Sequence, residues 1–479
     1  MKTTANGLKW SALERLGVQA IQLVVMLFLA RILGPDAFGL IGILTVFIAI
    51  SQVISDSGFS SALIRFKERT EIDFSTAFQF NILVAVLCYL VLFLSARQMA
   101  AFFEQPELEA LIKVLGLSII INSFTLVQKA KLTINMDFKT QAKASLSAVF
   151  ISSFISITLA YLGYGVWALV YQILINSFLT MVLLNVFHPW VPKSLFNKKS
   201  FHYLFGFGYK LLLAALLDTL FKNIYQVIIG KQFNPTQVGI FTQANQLASV
   251  PAMTFTTIVQ RVTYPMLSNI QSETNKFEHS YKLTLRLSAF VIFPLMIGLA
   301  IIAQPFVAVI LGDEWLEAAD LLSILCCAFM LYPIHAINLN LLQVKGRSDI
   351  FLKLEVIKKA LIVLMLFITI PLGIKAICIG MLIHTYIAFF INSYYTGQFS
   401  KLKTRDQLSA LAPIWLMVLL SALLTYLLVT GAVTVFLLNS YIQLFLSIVI
   451  MPAIYIALAR IFQRDLYIQT LNIILRRKV

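Results

Sequence analysis

Ala30-Arg31-Ile32-Leu33-Gly34-Pro35-Asp36-Ala37-Phe38-Gly39-Leu40 interrupts an otherwise apolar run that extends from Trp10 to Phe59. Proline has no backbone N–H to give and glycine disfavours helix interiors, so the stretch predicts a turn between two apolar segments, about 10–33 and 37–59. Each is close to the roughly 20 helical residues that cross a bilayer core about 30 Å thick. Farther along, Pro235-Thr236-Gln237-Val238-Gly239-Ile240 repeats the Pro-x-x-x-Gly pattern at an offset of 200, again between two apolar segments.

Outward from these two turns the same reading gives fourteen spans: 10–33, 37–59, 76–95, 108–128, 142–161, 165–187, 205–229, 237–260, 283–303, 319–342, 355–371, 374–395, 408–429 and 432–458. The composition agrees, with 59% hydrophobic residues and only 12% charged. Together with a mean hydropathy of +0.87 it excludes an ordinary soluble fold. The first span is expected to be a retained crossing rather than a cleaved leader, because no small-residue cleavage site follows a short apolar core. Cys88, Cys326, Cys327 and Cys378 all lie within apolar runs without metal-ligand spacing, so no metal is expected.

The net charge of +16 takes its meaning from its placement. Lys and Arg gather on the cytoplasmic side of membrane proteins. With the N-terminus inside, the inner segments hold Lys2 and Lys9, Arg65 to Arg69, Lys129 to Lys143, Lys193 to Lys199, Lys276 and Lys282, Lys345 to Lys359, Lys401 to Arg405, and Arg460 to Lys478. The outer ones hold only Arg31, Arg97, Lys231 and Lys375. One span more or fewer would scramble this alternation, so fourteen crossings with both termini cytoplasmic are expected. The charge then reports topology and suits an anionic inner leaflet, not nucleic acid.

Two weaker echoes extend the duplication: Leu108-Glu109-Ala110 with Leu316-Glu317-Ala318, and Leu162-Gly163 with Leu372-Gly373. The fold expected is therefore an all-α polytopic membrane protein with two six-helix lobes related by a pseudo-twofold axis along the membrane normal. A C-terminal helix pair completes it. The domains read as 1–190, a cytoplasmic linker 191–204, 205–400, and 401–479 with a basic tail.

Charged residues inside spans are costly in lipid and tend to face a cavity or a partner. Lys210, Asp218, Lys222 and Gln226 recur at multiples of four in the seventh span and share a helical face. Glu14, Arg15, Gln19 and Gln22 form a polar strip in the first. Arg15, Lys210, Lys222, Gln22 and Gln226, with Arg261 and Arg286, are candidates for a substrate cavity. Glu14, Asp218 and Asp56 are candidates for ion coupling. Asp218 and Lys222 also fit a purely structural ion pair, and Arg261 and Arg286 fit helix ends. His335 and His384 are read as packing residues, and Trp10, Trp167, Trp190 and Trp415 as interfacial anchors. No nucleophile, phosphate loop or metal cluster supports an enzyme.

The 30–40 stretch, Asp56-Ser57-Gly58-Phe59-Ser60-Ser61-Ala62-Leu63-Ile64, and Leu311-Gly312-Asp313-Glu314-Trp315 resemble the polysaccharide-transporter branch of the multidrug/oligosaccharidyl-lipid/polysaccharide exporter superfamily. The resemblance implies a bacterial inner-membrane flippase of the Wzx kind. It would carry undecaprenyl-pyrophosphate-linked oligosaccharide from the cytoplasmic to the periplasmic leaflet by alternating access, coupled to a proton or sodium gradient and using no cofactor. Membrane lipids and the polysaccharide polymerase machinery are the further partners implied. A drug/cation antiporter or a lipid II flippase of the same superfamily is the nearest alternative. A polysaccharide polymerase, which would need a large outer loop or a carboxylate motif, is more distant.

Overall fold

The computed structural model describes residues 2–475, with side chains over 9–472 and at 475. Arg476, Arg477 and Lys478 of the basic tail lie outside the described residues, as does the side chain of Lys2. Every regular element among the described residues is helical. Residues 1–239 and 240–479 form two compact units.

The first unit contains α1 (Lys2–Asp56), α2 (Phe59–Arg65), α3 (Glu71–Phe102), α4 (Glu107–Leu115), α5 (Leu117–Ile134), α6 (Phe138–Tyr161), α7 (Val166–Phe187) and α8 (Lys198–Gln232). Helix α9 (Pro235–Asn269) begins in it. The second holds the rest of α9 and α10 (Thr274–Ile301), α11 (Ala303–Ile310), α12 (Leu316–Phe329), α13 (Tyr332–Val344), α14 (Ser348–Thr369), α15 (Ile374–Thr396), α16 (Thr404–Phe436), α17 (Ser440–Phe462) and α18 (Arg464–Ile474). Eleven helical stretches among the described residues are long and apolar enough to cross a membrane.

The turn anticipated at 33–36 is present as a break between the two helices that share the range of α1. Gly34 leaves the helix with φ 71° and ψ 175°, and Pro35 restarts it. Segments 10–33 and 37–59 are thus the two arms of α1. Boundaries elsewhere follow local capping: Thr70 pairs with Asp73 at the start of α3 through bonds of 2.7 and 2.9 Å, and Asn197 accepts from Lys199 and Ser200 N–H at the start of α8.

The duplicated motifs meet. A Cβ on Gly39 would collide with the Pro235 carbonyl oxygen, and a Cβ on Gly239 with that of Pro35. Thr236 Oγ1 donates to Asp36 across the same junction. At the other end of α8, a Cβ on Gly208 would lie 2.6 Å from Ser57 O, and one on Gly58 2.5 Å from Gly208 O. Backbone packs directly on backbone at both ends of α8. The duplication places residues 205–400 in a second lobe, whereas these contacts make α8 pack with the first compact unit.

Small side chains let α6 approach its neighbours: Ala142, Ala148, Ser152, Ser156 and Ala160 are all buried. The segment after α7 is strapped to the start of α3. Ser75 Oγ accepts from Lys193 and Ser194 N–H at 3.1 and 3.3 Å, and Gln79 Nε2 donates to Ser194 O at 2.9 Å. Trp190 Nε1 donates to Glu71, which also pairs with Lys131 at 2.9 Å.

Candidate substrate path

Lys210, Asp218 and Lys222 are exposed along the middle of α8. Asp218 Oδ2 and Lys222 Nζ pair at 2.7 Å, one turn apart, with side chains 56% and 65% accessible. Only 11% of the most apolar window of α8 is buried, against 56% for that of the stretch Lys9–Arg65. An unpaired charge against acyl chains costs about 3 kcal/mol or more, and pairing of Asp218 with Lys222 offsets part of that cost. Gln226, a turn farther on, is half-buried and its Oε1 has no hydrogen-bond partner among the described residues.

The α1 strip divides. Arg15 and Gln22 are exposed and Gln19 is half-buried. Glu14 turns inward and accepts from Ser145 Oγ of α6 at 2.9 Å. Lys129 of α5 lies close enough to Glu14 for direct charge coupling. Neither partner was visible in the sequence, where Lys129 counted as a loop charge and Ser145 as one serine among many. The nearest signal was Lys129 following Gln128 inside the apolar 108–128 run's extension.

Asp56 is engaged locally. It accepts from Ser60 N–H at 3.3 Å and from Ser60 Oγ, closing the turn into α2. Arg261 is exposed on α9. Arg286 of α10 donates to Gln463 Oε1 at 2.9 Å, just beyond α17. The site residues of the sequence therefore fall into an exposed α8 face, an α1 strip with one half-buried carboxylate, and three residues placed elsewhere.

The second unit contains a polar seam that the sequence did not single out. Tyr281 donates to Asn338, and Gln407 Nε2 lies 3.3 Å from Tyr281 OH and 3.2 Å from Thr396 Oγ1. All four residues are fully buried. His335 Nδ1 and Asn392 Nδ2 pair at 3.1 Å, and His384 Nε2 lies 3.2 Å from the Lys358 carbonyl. Both histidines thus have packing partners. No group of three His, Cys, Asp or Glu side chains among the described residues could hold a metal.

An all-helical membrane chain with an exposed ionised face inside an apolar span defines the class: a multi-pass membrane protein of transporter architecture. The fold is that of a solved structure described as the lipid II flippase MurJ in an inward closed conformation. The match has a TM-score of 0.75 and 17% identity, and it covers 95% of this chain and 99% of that one. The polysaccharide biosynthesis protein family matches residues 28–320, and the chain belongs to that family. It is similar to the teichuronic acid biosynthesis protein TuaB of Bacillus subtilis (strain 168), 25% identical over 351 residues and 73% of each chain. It is also similar to the lipopolysaccharide biosynthesis protein WzxC of Escherichia coli (strain K12), 25% identical over 362 residues, 75% of this chain and 74% of that one.

Proposed function

We propose that the protein is a flippase carrying undecaprenyl-pyrophosphate-linked oligosaccharide units from the cytoplasmic to the periplasmic leaflet for surface polysaccharide synthesis. The observation that carries this is the exposed Lys210, Asp218 and Lys222 face of α8. A cationic group in a low-dielectric path attracts a pyrophosphate or an acidic sugar, and a paired carboxylate keeps the empty path near neutrality. Membership in a polysaccharide biosynthesis family supports this cargo over a drug cation.

The chain sits in the bacterial inner membrane with both termini cytoplasmic and moves its cargo without chemistry. Counting the arms of α1 separately, and adding α9 and α14 to the apolar stretches, supports fourteen crossings arranged six, six and two. The reciprocal packing of Gly39 and Gly239 supports the pseudo-twofold relation. Lobes 1–190 and 205–400, joined by 191–204 and followed by 401–479, alternate access to a shared path. Proton or sodium coupling falls to Glu14 or Asp218, and the polymerase machinery receives the product.

Deletion of the gene, with mass spectrometry of lipid-linked oligosaccharides, tests the cargo. Accumulation of an undecaprenyl-linked repeat unit is expected. Accumulation of lipid II, or altered drug sensitivity with no lipid-linked intermediate, would point to the alternative transporters of the superfamily. Neutralising the face with Lys222→Gln and Asp218→Asn at normal protein level should abolish complementation.

A further inference from the structure

The C-terminal corner of the second unit carries an arrangement that transport does not account for. Helix α17 ends at Phe462, and Gln463 leaves helical geometry with φ −135° and ψ 45° before α18 begins at Arg464. The corner is fixed from three sides. Arg286 of α10 donates to Gln463. Arg460 Nη2 donates to Tyr467 OH at 2.9 Å, and its guanidinium lies 5.1 Å from the centre of that ring. Leu466 is buried. A helix held this firmly has a defined outer face.

That face is apolar. Ile468, Leu471 and Leu475 follow the i, i+3, i+7 pattern of one helical stripe and are 42%, 37% and 50% exposed. The opposite side turns Leu466, Gln469 and Thr470 toward the protein. The stripe continues the end of α17, where Ile461 and Phe462 are also exposed. Exposed Arg460 and Arg464 flank it, and the sequence continues Arg476-Arg477-Lys478. An apolar stripe edged by arginines fits one partner, a bilayer surface bearing anionic phosphate headgroups.

We propose that α18 lies in the interface of the cytoplasmic leaflet, with Ile468, Leu471 and Leu475 in the acyl boundary and Arg460 and Arg464 on anionic phospholipid headgroups. The choice of leaflet rests on the orientation proposed above. The lipid contact itself does not.

The test uses the full chain with its four cysteines replaced by alanine, reconstituted in nanodiscs whose two leaflets are alike. Spin labels are placed singly at Ile468→Cys, Leu471→Cys, Leu475→Cys and, as the exposed polar control, Asp465→Cys. In phosphatidylcholine with about a third phosphatidylglycerol, the ratio of oxygen to nickel-chelate accessibility should be at least severalfold higher at the three apolar positions than at the control. In phosphatidylcholine alone the difference should shrink, and Arg464→Gln should shrink it in the anionic bilayer. Nickel accessibility at all three positions equal to the control would overturn the interfacial placement. Equal burial in both bilayers would overturn the headgroup assignment. Neither outcome bears on the transport reading, which is tested by cargo accumulation.

Discussion

The middle of α8 and the polar seam of the second unit both place hydrogen-bonding side chains inside apolar helices, yet they are built in opposite ways. Along α8 the groups are charged and exposed, with Asp218 and Lys222 paired to each other and Lys210 over the Tyr209 ring. In the seam they are neutral, fully buried and bonded across four helices, from Tyr281 in α10 through Asn338 in α13 and Thr396 in α15 to Gln407 in α16. A buried neutral network fixes which helices touch, since a lost partner leaves a desolvated polar atom. Exposed charges fix nothing in the core. Polarity within a span therefore has two meanings, and accessibility separates them.

The largest effect is expected where α8 is anchored. Gly39→Ala would drive a Cβ into the Pro235 carbonyl, and overpacking against backbone costs about 3 kcal/mol. Lowered melting temperature and lost complementation together are expected. If the variant were as stable as the parent, backbone contact would not be what holds the bare helix in place.

Next comes the seam. Gln407→Leu removes bonds to Tyr281 and Thr396 and to the Leu402 carbonyl, at about 2 kcal/mol. Thermal unfolding in detergent should shift downward while transport per folded molecule is retained. Loss of transport without loss of stability would move the seam into the cargo path.

On α8 the balance inverts. Lys222→Gln should leave the melting temperature unchanged, because an exposed i, i+4 pair contributes about 0.5 kcal/mol or less. Flipping should fall at least tenfold, equivalent to about 1.4 kcal/mol. A stability loss with intact flipping would return the pair to a structural role.

The smallest effect concerns an exposed pair that faces neither region. Arg347 bonds Asp349 at 2.9 and 2.7 Å and holds its carboxyl below the usual range, down to about 2. A depressed folded-state value means that the contribution is present above the unfolded carboxylate range and is lost as pH falls toward 2. Asp349→Asn should therefore lower the melting temperature only slightly, equally from pH 5 to 8, with the difference vanishing near pH 2. A difference that grew on acidification would contradict the pairing.

The sequence determined the membrane class and the all-helical fold. Bilayer thickness imposes a length on every crossing, and unsatisfied backbone in lipid leaves helices as the economical answer. It also revealed the Pro-x-x-x-Gly duplication, since a break in an apolar run is a local signal. The register of side chains on α8 was legible too, because spacing by fours survives in any straight helix. Tertiary structure alone decided which polar residues are open and which are spoken for. Asp56 and Arg286 are candidates in sequence beside Lys222, and in the structure one closes a turn and the other pins the α17–α18 corner. Glu14 acquires Ser145 and Lys129 from helices more than a hundred residues away. No local pattern encodes such partners, because they are set by which small residues let α1, α5 and α6 approach. The same holds for the bend at Gly34: the residues announced a turn between two helices, and only the packed chain showed its two repeated turns closing on each other, backbone to backbone.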